Sequence, residues 1–132
     1  MWLFCTYGFY STTKAPDRPG WVQVRARRRE DLVRLAERFV TAQCPIQATP
    51  ERDYPYRIVL RQGAWADIVA CIADDIDYAN FKDRVHEVDP DPERSSAYLS
   101  VWGIMARFGG KAFGSAVRQA RTRGKWQNKI LR

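Results

Sequence analysis

The sequence predicts an α+β fold: a small, mainly antiparallel sheet, made of a hairpin and one or two further strands, covered by helices and followed by a basic C-terminal tail. Three features predict it. Polar and apolar residues alternate with a period of two in 21–27 and 56–61, the mark of half-buried strands. Apolar residues recur at helical spacing in 32–40 and 65–76. The charge then changes abruptly, since residues 1–93 carry 13 basic and 15 acidic side chains whereas 94–132 carry nine basic ones and no acid.

Taken in order, residues 2–13 are mostly β-branched or aromatic, and Ala15-Pro16-Asp17-Arg18-Pro19-Gly20 supplies a turn before the second run, so the two read as a hairpin. In the second strand Val22, Val24 and Ala26 share one face and Gln23, Arg25 and Arg27 the other. The first strand is apolar on both sides, which suits a central position or an exposed aromatic surface. From Arg29 a helix is expected, with Leu32, Leu35, Ala36, Phe39 and Val40 as its stripe and Glu30 and Asp31 at the positive end of its dipole. Pro45, Pro50 and Pro55 mark a loop, in which 46–49 is compatible with a short strand. The strand at 56–61 places Tyr56, Ile58 and Leu60 opposite Arg57, Val59 and Arg61.

A second helix spans about 63–76, with Trp65, Ile68, Val69, Ile72, Ala73 and Ile76 inward. A third runs from about Tyr78 to His86, facing Phe81 and Val85 inward. A fourth starts at Pro92 or Glu93 and runs to Phe108, with Tyr98, Val101, Trp102, Met105 and Phe108 on one face, and Gly109-Gly110 ends it. Residues 1–108 thus read as one domain and 109–132 as an extension. The chain of 132 residues is long enough for one self-sufficient core.

Composition narrows the function classes. Hydrophobic residues at 45% and charged residues at 28% exclude wholesale disorder, collagen and coiled coil. No stretch approaches a transmembrane length, and the opening residues lack a basic leader region, so a cytoplasmic protein with no membrane partner is expected. Cys5, Cys44 and Cys71 form no CxxC, and His86 alone could join them, so zinc is not expected and all three read as reduced; Cys71 falls on the stripe of the second helix, where buried thiols are common. No phosphate loop, GxSxG or Cys-His-Asn signature occurs, and no cofactor is implied.

The strand Met1-Trp2-Leu3-Phe4-Cys5-Thr6-Tyr7-Gly8-Phe9-Tyr10-Ser11, with Val24-Arg25-Ala26-Arg27-Arg28, Asp53-Tyr54-Pro55-Tyr56-Arg57-Ile58 and Asp77-Tyr78-Ala79-Asn80-Phe81-Lys82, resembles an uncharacterised family of small bacterial proteins over about residues 1–108. The resemblance implies a bacterial or phage setting and assigns no chemistry. Relatives tend to stop soon after the fourth helix, so the basic tail looks particular to this chain.

Two groups of residues point to nucleic acid. The tail carries Lys111, Arg118, Arg121, Arg123, Lys125, Lys129 and Arg132 with Phe113 and Trp126 interleaved, a mixture that holds phosphates and stacks bases. The competing readings are a solvated terminus and docking on an acidic protein surface. Arg25 and Arg27 on one strand and Arg57 and Arg61 on another would form a basic stripe on one sheet face, with Tyr7, Phe9 or Tyr10 as a stacking surface; no RNP1 pattern is present. The plainer reading is that these arginines solvate the face or pair with Glu30 and Asp53.

The leading expectation is a non-enzymatic accessory protein that binds nucleic acid or a ribonucleoprotein complex. The alternative is a protein-interaction module or inhibitor that uses residues 74–93, where eight acids face only Lys82 and Arg84. A small metal-dependent nuclease built on Asp74, Asp75 and Asp77 ranks third, since no partner carboxylate is identifiable.

Overall fold

The computed structural model describes residues 1–39 and 44–110, which fall into two compact units, Met1–Val88 and a second that begins at Asp89. In the first, β1 (Trp2–Cys5), β2 (Gly8–Lys14), β3 (Trp21–Ala26), β4 (Gln47–Ala48) and β5 (Tyr56–Arg61) form one sheet in the order β1-β2-β3-β5-β4, with every neighbouring pair antiparallel. Helices α1 (Arg29–Phe39) and α2 (Gln62–Asp74) pack on it, and α3 (Phe81–Val88) completes the unit. The α+β class read from the alternating and helical periods is the observed one.

The run at 2–13 is two strands. Thr6 and Tyr7 reverse the chain, so that Cys5 pairs with Gly8 and Trp2 with Ser11. This turn carries no Gly, Asn or Asp at its two central positions, which is why composition reads one strand there. What holds it is tertiary. The Asp31 carboxylate, in the first turn of α1 and only 3% exposed, accepts a hydrogen bond from the Phe9 amide at 3.1 Å. A Cβ at position 8 would sit 2.5 Å from Asp31 Cγ, so only glycine lets β2 approach the helix this closely. The Tyr10 hydroxyl donates to the Asp31 carbonyl at 2.8 Å. β2 is therefore internal to the sheet, while β1 is an edge strand.

One sheet face meets α1 and α2 around Tyr10, Val24, Ala26, Ile58, Leu32, Leu35, Trp65 and Ile68, all buried in a single cluster. Tyr10 stands edge-on to Trp65 with ring centroids 6.4 Å apart. Truncating the fully buried Leu35 to Ala should cost about 3 kcal/mol in a urea melt, the transfer and cavity terms of a core leucine.

Three sequence expectations are corrected at the helices. α2 ends at Asp74, and Ile76, placed in its stripe, lies beyond the helix and is exposed. Cys71 is exposed as well, because Trp65, Ile68 and Ile72 define the inward side and position 71 points away from it; the buried thiol is Cys5. α3 begins at Phe81, since Asn80 Oδ1 accepts from the Lys82 and Asp83 amides and so caps the helix there.

The Tyr7 hydroxyl donates to Asp75 Oδ2 at 2.6 Å, and Arg38 reaches Asp75 Oδ1 at 3.2 Å, tying the β1–β2 turn and α1 to the end of α2. Burial and the bond to Asp75 raise the Tyr7 phenol above its ordinary value. A raised folded value gives stability that is present below about pH 10 and lost as pH climbs through the folded value. Tyr7→Phe should therefore show a smaller drop in urea midpoint between about pH 9 and 11 than the parent chain.

In the second unit, α4 (Pro92–Phe108) starts on Asp91, whose Oδ1 accepts from the Glu93 amide at 2.9 Å, with Pro92 in the first helical turn. Arg94 Nε donates to Asp89 Oδ2 at 2.6 Å. Of the face expected to pack, Tyr98 is buried and Val101 half-buried, while Trp102, Met105 and Phe108 are exposed.

Candidate nucleic-acid interface

Residues paired across antiparallel strands point to the same side of a sheet, so the registers define the face opposite α1 and α2. One row crosses every strand: Trp2 pairs with Ser11, Ser11 with Arg25, Arg25 with Arg57 and Arg57 with Gln47. At about 4.8 Å per strand this row spans about 19 Å. Phe4 and Phe9 form a parallel row on one side of it, and Thr13, Gln23 and Val59 another on the other side. Trp21 and Arg61 close the face at the far end of β3, four residues from Arg25 and so about 13 Å along the strand.

Of the four arginines expected to form a stripe, Arg61 lies at the far end opposite Trp21 and Arg27 just past the end of β3, while Arg25 and Arg57 stand directly opposite one another. They are held in place by the sheet. Arg25 Nη2 donates to Ser11 Oγ at 2.8 Å. Arg57 Nη1 donates to Gln23 Oε1 at 3.1 Å, and its Nη2 to Thr49 Oγ1 at 2.6 Å and to the Tyr54 carbonyl at 3.1 Å. Burial, then repulsion from Arg52 and Arg25, lowers the Arg57 guanidinium from the ordinary arginine value. Arg27 pairs with Asp53 at 2.9 Å between two largely exposed side chains, as the plainer reading anticipated for this residue. An exposed pair of this kind contributes little and yields readily to a phosphate.

The aromatic residues divide between the two sides of the sheet. Of Tyr7, Phe9 and Tyr10, only Phe9 lies on this face; Tyr10 belongs to the core and Tyr7 to the turn beside Asp75. Phe9 stacks on Phe4 with centroids 4.4 Å apart and meets Trp2 edge-on at 5.9 Å, while Trp2 itself is 69% exposed. Tyr54, from the loop before β5, is buried here, with the Arg25 and Arg27 guanidiniums 4.9 and 4.6 Å from its ring. At the other end, Arg18 and Arg61 both lie over Trp21, at 4.8 and 5.0 Å. Arg18 and Arg61 are exposed, and among the described residues neither has a carboxylate partner.

Sequence reasoning missed Trp2, Arg18, Trp21 and Tyr54. Trp21 shares the parity of Arg25 and was legible from alternation alone. Trp2 required the turn at Thr6 and Tyr7 to be known, and Arg18 and Tyr54 come from loops, where parity says nothing.

The tail residues Lys111, Arg118, Arg121, Arg123, Lys125, Trp126, Lys129 and Arg132 lie outside the described residues. The acidic segment is largely engaged with its own chain: Asp75 with Tyr7 and Arg38, Asp77 and Glu87 with Arg84, Asp89 with Arg94, and Asp91 in the α4 cap. Among the described residues no three His, Cys, Asp or Glu side chains converge to hold a metal, and no helix is long and apolar enough to cross a membrane. Comparison with family models, with curated proteins and with solved structures finds no match.

Proposed function

We propose that this chain is a non-enzymatic accessory protein that binds nucleic acid, alone or within a ribonucleoprotein complex, through the open sheet face together with its basic C-terminal extension. The observation that carries the reading is the sheet face away from α1 and α2, where Arg18 and Arg61 lie over Trp21, Arg25 and Arg27 over Tyr54, and Trp2 and Phe9 meet on the same side. Cations supply phosphate affinity, and the exposed Trp2 ring supplies surface on which a base can stack. The seven cations and no acid of residues 111–132 add to the same charge. The bacterial or phage setting and the cytoplasmic location belong to the proposal through the family resemblance and the composition.

The test is a salt titration of oligonucleotide binding. Affinity should fall steeply as salt rises, and log K against log salt should be linear. Arg18→Ala/Arg61→Ala and, separately, Arg121→Ala/Arg123→Ala should each flatten that slope by about 0.7 for every single-strand phosphate that is no longer neutralised. Absence of binding at low salt, or binding indifferent to salt, overturns the reading.

A further inference from the structure

Resting on the nucleic-acid reading, we infer that the ligand of the open face is single-stranded, with unpaired bases stacking on Trp2 beside the Phe4–Phe9 pair and its phosphates meeting Arg18 and Arg61. Two features separate this from duplex recognition. The first is size. A major groove about 12 Å wide admits a helix or a two-stranded ribbon, whereas this face spans five strands and about 19 Å. The sheet cannot enter the groove and read base edges there.

The second is what the face offers. Trp2 lies at the edge strand, 69% exposed, and its neighbour Phe9 meets it edge-on, so the indole is braced while most of its surface remains in water. An exposed indole gains only from a base whose own π-face is accessible, and in a duplex those faces are already stacked. Between this end and the Arg18–Trp21–Arg61 end, the face is internally bonded: the buried Ser11 hydroxyl accepts from Arg25, and Gln23 donates to Thr13 and accepts from Arg57.

The guanidiniums divide accordingly. Arg25 and Arg57 are fixed by hydrogen bonds to Ser11, Gln23, Thr49 and Tyr54, and act as positioning residues that set the field of the face. Arg18 and Arg61, exposed over Trp21, meet the phosphates.

The experiment uses the full chain and fluorescently labelled oligonucleotides of about twelve nucleotides, within the site sizes common for single-strand binding sheets, at low salt: oligo-U, oligo-dT and a mixed-sequence duplex of equal length. Trp2→Ala, on an exposed edge position, should leave the melting curve in place. It should weaken the single strands by about 5- to 150-fold, the effect of unstacking one base, and the duplex by less than about twofold. Trp2→Phe should restore most of the affinity, which a purely structural role at the edge strand would not require. If the duplex binds as tightly as the single strands, or if Trp2→Ala leaves single-strand affinity unchanged, this inference falls while the nucleic-acid reading stands. If none of the three oligonucleotides binds, both fall together.

Discussion

Gly8→Ala is expected to lower the stability of the chain by about 3 kcal/mol and the melting temperature by about 10 °C, the scale of severe overpacking in a domain of this size. The reason is local. The added methyl would arrive 2.5 Å from Asp31 Cγ and 2.7 Å from its Cβ, and the carboxylate cannot simply withdraw. It is buried in the first turn of α1 and accepts the Phe9 amide, while the Tyr10 hydroxyl fixes the backbone carbonyl of the same residue. Asp31→Ala alone should cost about 2 kcal/mol, because the Phe9 amide would be left without its charged acceptor. The two substitutions touch the same atoms, so Gly8→Ala/Asp31→Ala should be less damaging than the sum of the singles. Urea melts of the three variants give the coupling, and strictly additive effects would show that the contact does not set the approach of β2 to α1.

That contact also shows where sequence reading stops. The faces of β3 and β5 were legible because alternation assigns every residue to one side, and Arg25 and Arg57 meet across the two strands on the side their parity assigns. The stripe of α1 was legible for the same reason, through Leu32 and Leu35. The β1–β2 turn was not, since Thr6 and Tyr7 have no intrinsic preference for a two-residue reversal, and the turn depends on Asp31, far along the chain in α1. Missing the turn hid the site as well. With residues 2–13 read as one strand, Trp2 and Phe9 fall on opposite sides; with the reversal in place they meet at 5.9 Å on one face. The same limit applies to Cys71, whose side of α2 was decided by where the sheet lies, and to Ile76, which falls past the end of the helix at Asp74.

Tyr54→Ala should have the second large effect, because this loop residue joins the fold to the face. Its ring is buried beside Phe9 at 6.2 Å with the Arg25 and Arg27 guanidiniums over it, and its carbonyl accepts from Arg57. Removing the ring should cost about 3 kcal/mol, as for other buried aromatic truncations. It also takes away the platform that aligns two cations, so oligonucleotide affinity should drop in the same variant. Tyr54→Phe keeps the ring and the carbonyl and should stay close to the parent chain in both respects, since the ring meets Phe9, Arg25 and Arg27 and the carbonyl meets Arg57. Urea melts and anisotropy titrations on the two variants separate the outcomes. A Tyr54→Ala protein that is destabilised yet binds oligonucleotide as tightly as the parent would remove Arg25 and Arg27 from the interface and confine binding to the Trp21–Arg61 end and the basic extension. Weakened binding in Tyr54→Phe as well would instead assign the phenol hydroxyl to the ligand, a direct interaction that the ring-based account excludes.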